Sequence, residues 1–304
     1  MKEIMNLVKR NVLVFVRDRA AVFFSMLSML IVLGLMILFL GDMNSNNIVS
    51  ILSQMGGNRN PDEDKENAKY LVQVWTLAGI LLTNAVTVTM TVMGNMIDDE
   101  GKNRLASFYV SPAKRVHIAF GYVISSWSIG TFMCLVTLSV AEVYLFVSGQ
   151  TMLTVVECLK LFGMIVLNTF MYSAIAYLVA MFIHSESALS GILTIVGNLV
   201  GFVGGIYLPI FSIPEKVADI LKCLPFLHGA AMMRVVCTEQ AVDTTFVGVP
   251  EEVTKEFMEG MGITVMIDGN EVTFAMQVIY LLVLSFLAIF VAAFISSKRA
   301  VRDR

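Results

Sequence analysis

The sequence predicts an all-α membrane protein with six transmembrane helices, an N-terminal interfacial helix, a short cytoplasmic helix and an outer, partly re-entrant segment before the last helix. Three observations predict it. Of the 304 residues, 57% are hydrophobic and 15% charged, against roughly 45–50% apolar and about 25% charged in soluble domains. The charges cluster and leave long charge-free runs, each near the ~20 apolar residues that carry a helix across a hydrocarbon core. The clusters between those runs differ in sign from one side to the other.

The first element, residues 1–19, reads as an interfacial helix. Met5, Val8, Val12, Phe15 and Val16 recur at helical spacing, with Asn6, Arg10 and Arg17 on the other face and Leu13 as an exception. A helix of this pattern lies in the headgroup plane with its bases toward anionic lipid. The apolar run after it is longer than the roughly 7–15 residues of a cleavable signal. Spans are expected at 20–41, 70–97, 116–141, 161–183, 187–206 and 273–296. Lipid cannot satisfy backbone polar groups, so each is a helix or a barrel strand, and all are far longer than the ~10 residues of a strand.

Basic residues set the orientation. Lys2, Lys9, Arg10, Arg17 and Arg19 share a side with Lys102, Arg104, Lys114 and Arg115, and with Lys298, Arg299, Arg302 and Arg304. The opposite side is acidic, with Asp62, Glu63, Asp64 and Glu66 after the first span and Glu251, Glu252, Glu256, Glu259, Asp268 and Glu271 before the last. The basic side is predicted to be cytoplasmic, with both termini inside a plasma membrane.

Two connecting pieces stand out. Asp98-Asp99-Glu100-Gly101-Lys102-Asn103-Arg104-Leu105 places acids ahead of bases, as the dipole of a short helix favours, and Pro112 ends it. An ordinary solvated hairpin loop is the plainer alternative. Residues 207–272 form the outer segment. Its start is apolar but broken by Pro209 and Pro214, and Val217–Leu227 returns to apolar residues around Pro225. This pattern predicts a short re-entrant or interfacial element, tolerated where protein buries it.

Polar stripes mark two spans. Thr83, Asn84, Thr87, Thr91 and Asn95 follow one face of the second, and Thr194 and Asn198 repeat the pattern in the fifth. They read equally as a substrate path or as interhelical hydrogen bonds. Gly197, Gly201 and Gly205, each four apart, read as close helix packing. Glu142, Glu157 and Lys160, near the outer ends of spans three and four, read as an ion pair or as solvated interface residues.

Several chemistries lack support. No dense basic patch suggests nucleic acid. No G-x-x-x-x-G-K-[ST] run is present to cradle ATP phosphates. Asp98, Asp99 and Glu100 lack a second acidic cluster to complete a metal site. His117, His184 and His228 have no catalytic spacing. None of the four cysteines forms a CxxC pair; Cys223 and Cys237 fall outside, where free thiols or a disulfide are both open.

Glu100-Gly101, Leu105, Phe108, Ser111-Pro112 and Gly121, followed by Gly205, Pro209, Pro214, Pro225 and Arg234, resemble the permease family of type-2 ATP-binding-cassette transporters. The resemblance extends over the whole chain. It departs at Lys102-Asn103, where the family often has threonine after the glycine, and in a longer outer segment from Gln240 to Glu271. It implies a single permease domain, 1–304, that binds no cofactor itself. ATP and Mg would sit on a partner ATPase subunit, and a second permease, identical or related, would complete the transporter. Asp99, Glu100, Gly101, Lys102, Arg104 and Leu105 would then lie on the coupling helix against that ATPase. The implied function is alternating-access export of an amphipathic drug, antibiotic or peptide. Lipid-linked polysaccharide export is the alternative within the class, and an ion channel or secondary carrier the alternative outside it.

Overall fold

The computed structural model describes residues 2–35, 41–55, 59–102, 104, 115–204, 209–267 and 269–302. In chain order the helices are α1 (Lys2–Arg17), α2 (Arg19–Leu35), α3 (Gly41–Gln54), α4 (Pro61–Gly101), α5 (Arg115–Val147), α6 (Val155–Ala180), α7 (Glu186–Val203), α8 (Glu215–Lys222), α9 (Pro225–Thr245), α10 (Glu251–Gly260) and α11 (Phe274–Arg302). A single 3-10 turn, Ile210–Ser212, precedes α8, and a two-residue hairpin pairs Met266–Ile267 antiparallel with Asn270–Glu271.

The architecture is a helical bundle built around α4. This helix packs on α9, α5, α6, α3 and α7, and from Ala68 to Ile97 almost every side chain is buried. Its 41 residues extend about 60 Å at 1.5 Å per residue. Its start is set by local chemistry. Asn60 caps it by accepting from the Asp62 N–H at 3.1 Å, Pro61 takes the first turn, and Asp62, Glu63 and Asp64 oppose the positive end of the dipole. Arg59 forks onto Asp64 and donates to the carbonyls of Thr245 and Val247 at 2.9 and 2.8 Å, tying that start to the end of α9.

Four described helices, α4, α5, α6 and α11, are long and apolar enough to cross a membrane; α8 and α9, bent by 78° at Cys223–Leu224, make a fifth if read as one broken span. The expected spans at 70–97, 116–141, 161–183 and 273–296 thus largely coincide with helices of shifted bounds, 161–183 overrunning its helix by three residues and 273–296 starting one residue early. The expected first span, 20–41, differs more. Helix α2 covers 19–35, residues 36–40 lie outside the described residues, and Gly41 opens the separate helix α3. The expected fifth span, 187–206, is the shorter α7, its end at 205 and 206 also outside the described residues.

In the outer segment the bend between α8 and α9 fits either the expected re-entrant element or a broken span. Pro209, Pro214 and Pro225 each open an element, preceding the 3-10 turn, preceding α8 and starting α9. Beyond that break, α9 is a 21-residue helix packed on α4, α6 and α11. Arg234, Glu239 and Asp243 interrupt the apolar pattern of these residues. The structure resolves this by burying Arg234 completely. Its guanidinium lies 4.6 Å over the Trp75 ring and donates to the carbonyls of Met261, Gly262 and Gly204, while Trp75 Nε1 donates to Met261 O at 2.8 Å. A planar cation against an aromatic face suits such a site.

One further reading is corrected and one open alternative decided. Glu157 is buried as the capping-box residue of α6, its carboxylate accepting from Thr154 N and Oγ1, so it is neither solvated nor paired with Lys160. Lys160 pairs instead with Glu239 at 3.3 Å, and Glu142 accepts from Leu153 N at 3.3 Å. Cys237 is buried in α9 and Cys223 exposed beyond α8, and both are free thiols.

Helix α1 lies on α5 through a close approach at Gly121, where an added Cβ would sit 2.5 Å from Leu7 Cδ2. Gly121→Val should therefore lower the stability of the purified protein by about 1–3 kcal/mol through overpacking. Gly163→Ala, at a site open for 4 Å, should leave it unchanged. Thermal unfolding of both variants in detergent measures the difference.

Candidate functional site

At one end of the bundle, α1, the last turn of α4, the start of α5 and the α6–α7 turn bring their polar side chains together. The helix predicted over 98–105 is not a separate element at its start. Asp98, Asp99, Glu100 and Gly101 form the last turn of α4, closed by Lys102, whose N–H bonds to Asp98 O. The reason is that the charges begin within a helix already running, and nothing before Lys102 breaks it. Leu105, Phe108, Ser111 and Pro112 lie outside the described residues.

Asp99 is the centre of this cap and is 1% exposed. Arg10 of α1 forks onto it, Nη1 to Oδ2 at 2.5 Å and Nη2 to Oδ1 at 2.6 Å, and the Tyr122 hydroxyl of α5 donates to Oδ2 at 2.6 Å. Hydrogen bonding to Asp99 outweighs the cost of burial and raises the pKa of the Arg10 guanidinium above its ordinary value. Beside the pair, Asn11 Nδ2 donates to Ser125 Oγ of α5 at 3.1 Å. Around it lie a partly exposed ring of charges: Asp98 with Lys102 at 2.5 Å and Arg104 at 3.4 Å, Glu100 with His184 at 3.4 Å, and Glu3 with His117 at 2.9 Å.

Of the residues expected to meet a partner, Glu100, Gly101, Lys102 and Arg104 have surface to offer, whereas the Asp99 carboxylate is spent inside the protein. Arg10 and Tyr122 were missed. The sequence put Arg10 on the headgroup face of α1, and the structure turns it inward. The buried stripe of α1 is Leu7, Asn11 and Phe15, while Met5 and Val16 are 67% and 61% exposed. The signal was Asn11, a polar residue four positions from two apolar ones.

The polar stripe of α4 divides. Asn84 is buried and donates to Thr137 of α5 at 2.5 Å, an interhelical tie. Thr83, Thr87, Thr91 and Asn95 form a half-exposed line along the part of α4, residues 70–97, that is otherwise mostly buried. Thr87 and Thr91 return their hydroxyls to the carbonyls four residues back at 2.8 Å, and Thr83 Oγ1 and Asn95 Nδ2 have no protein partner among the described residues. Facing this line, α7 packs with Gly197 3.9 Å from Thr87 Cγ2 when given a Cβ, and with Leu189 against Gly94. Thr194 and Asn198 are exposed on α7, Gly201 is buried, and Gly205 lies outside the described residues.

The order of these elements, an amphipathic helix locked to a charged helix end that runs unbroken into a bundle core, agrees with a comparison to protein families. The family model of the ABC-2 type transporter matches residues 2–237. The chain belongs to the ABC-2 type transporter family. No curated protein matches it. Membership and the apolar helices make it a multi-pass membrane protein and the permease-type component of an ABC transporter. The matched residues include the whole polar cap, the α4 stripe and Arg234.

Removing Arg10 leaves the buried Asp99 carboxylate with only the Tyr122 hydroxyl and the more distant Arg104 at 3.4 Å among the described residues, whereas removing both partners leaves no such charge. Arg10→Ala alone should cost roughly 1–3 kcal/mol of stability, and Arg10→Ala with Asp99→Ala should cost less than the sum of the single changes. A double-mutant cycle on thermal unfolding tests this; additive losses would show that the two side chains act independently.

Proposed function

We propose that this chain is the membrane subunit of an ATP-driven exporter, pairing with a second permease, identical or related, and with ATPase subunits that carry ATP and Mg. In this reading the polar cap faces the cytoplasm, both termini are inside a plasma membrane, and six passes cross it, with α2 and α7 among them. The charge asymmetry supports the orientation. The observation that carries the proposal is that one unbroken helix, α4, ends in the polar cap and bears the half-exposed Thr83–Thr87–Thr91–Asn95 line. A push on the cap therefore reaches the line without passing through a loop.

The mechanism follows from that rod. Closure of the ATPases on ATP would press on Glu100, Gly101, Lys102 and Arg104. Because Asp99 is locked to Arg10 and Tyr122, α4, α1 and α5 would move together. The half-exposed face of α4 would then tilt relative to α7 and to the second permease, opening a path outward. The cargo proposed is amphipathic, a drug, antibiotic or peptide, since the half-exposed line sets threonine and asparagine side chains among apolar ones and carries no charge before Asp98.

Two experiments test this reading. Glu100→Ala and Gly101→Pro should leave the complex assembled but abolish most of the cargo-stimulated ATP hydrolysis of the reconstituted transporter, by loss of a charge and of the last helical turn. Unchanged stimulation in both would sink the coupling role. Thr87→Val and Thr91→Val keep side-chain volume and should alter the ratio of transport rates among several cargoes. Asn84→Leu, which breaks the tie to Thr137, should reduce assembled protein and scale all cargoes alike, by an amount near the ~0.6 kcal/mol average of such bonds. A uniform effect from the threonine variants as well would assign the line to helix packing.

A further inference from the structure

A second site lies where α1 meets α2 and α5, its buried residues packed against Val88 and Val92 of α4. Phe15 and Val16 of α1, Val22 of α2, and Ile129 and Phe132 of α5 line a cleft of about 390 Å³. Its floor is buried, with Phe15 5% and Ile129 4% exposed, while Val16 and Phe132 at its rim are 61% and 63% exposed. Ser128 is the one polar residue among those that line it. The cleft is concave and apolar, at the lower end of the size range of small-ligand pockets, about 300–1,000 Å³. An apolar cleft of this kind gives water no partners.

Charge lies at one end of it. Helix α1 stops at Arg17 and α2 starts at Arg19, one residue on either side of Asp18. Arg17 directly follows the lining residue Val16, Arg19 lies three residues before the lining residue Val22, and both arginines are exposed. Asp18 is already used, since its carboxylate caps α2 by accepting from Ala21 N at 3.0 Å. Neither arginine appears in an ion pair among the described residues. Arg10, one turn and more earlier, is taken by Asp99.

We propose that this cleft is a specific site for one acyl chain of an anionic phospholipid, whose phosphate is held by Arg17 and Arg19. The inference rests on the chain being embedded in a membrane, not on the cargo or on the ATPase partner. The guanidinium pair selects the headgroup, and the cleft selects against a free phosphate, which has no chain to fill it. A lipid seated here touches α1, α2 and α5 at once, and so touches the helix whose Arg10 holds Asp99. Membrane composition would thereby bias the position of α1.

Tryptophan quenching tests the site in the full chain reconstituted in phosphatidylcholine vesicles. Phe132→Trp puts a reporter on the rim at an exposed position, and its signal is taken as the difference from the unsubstituted protein. Brominated acyl chains are supplied at equal low mole fraction on phosphatidylglycerol or on phosphatidylcholine. Each arginine near an anionic surface contributes about 1 kcal/mol, or roughly fivefold in occupancy. Brominated phosphatidylglycerol is therefore expected to quench at about a fifth or less of the mole fraction that phosphatidylcholine needs. Arg17→Gln with Arg19→Gln should bring the two lipids to parity. Phe286→Trp, at an exposed position of α11, should show no preference in either background. Equal quenching by both lipids at position 132 overturns the proposal, as does a preference that survives loss of the arginines. Quenching by neither lipid also overturns it, since a second protein chain would then cover the cleft.

Discussion

A buried carboxylate at the end of an apolar helix can exist only if donors converge on it, and at Asp99 they come from two other helices. Arg10 supplies a fork of two N–H groups and Tyr122 a hydroxyl. An ionised group without such partners would cost several kcal/mol. The amphipathic helix α1 is therefore fixed to the bundle by geometry that a lipid headgroup alone would not impose. The same contact joins the last turn of α4 to α1 and α5, which makes three elements one mechanical unit.

The other end of α4 is held by a different means. Arg59 ties its first turn to the end of α9, and Trp75, one face under the guanidinium of Arg234, ties it to the loop at Met261 and to the end of α7 at Gly204. Among the described residues Arg234 has no carboxylate partner; carbonyl oxygens and an aromatic face take its place. Both ends of the central helix are thus pinned by arginines, while its middle is apolar apart from hydroxyls and amides. Some polar groups there close on their own helix, as Thr87 and Thr89 do, Asn84 ties to a neighbour, and Thr83 Oγ1 and Asn95 Nδ2 have no partner among the described residues. Only the Thr83–Asn95 line keeps a half-open face, and this separates it from the tie at Asn84 on the adjoining face.

The family and the membrane class were legible because they depend on quantities that a sequence holds directly. Apolar run length is set by bilayer thickness, and the sign of flanking charges by topology rules. Four expected spans and the breaks at the outer prolines could be read from local patterns, whereas the expected separate helix at Asp98 proved to be the last turn of α4. The interior role of Arg10 could not, because helical periodicity gives the angle between side chains on α1 and not which angle faces α5. The same limit hid α9: three charged residues break its apolar pattern, and only its neighbours show that one of them, Arg234, is buried.

By itself, then, the sequence determined where helices can form and which residues lie on a common face. Asn60-Pro61 before three acids starts a helix wherever it is placed, and Thr154 with Glu157 closes a capping box from adjacent residues. Tertiary structure alone decided which polar side chains meet. Asp99 and Arg10 are 89 positions apart, and Trp75 and Met261 are 186 apart, so no local pattern relates them. They pair because burial in a common apolar bundle leaves each buried donor or acceptor no water, and the nearest complementary group on another helix is what remains.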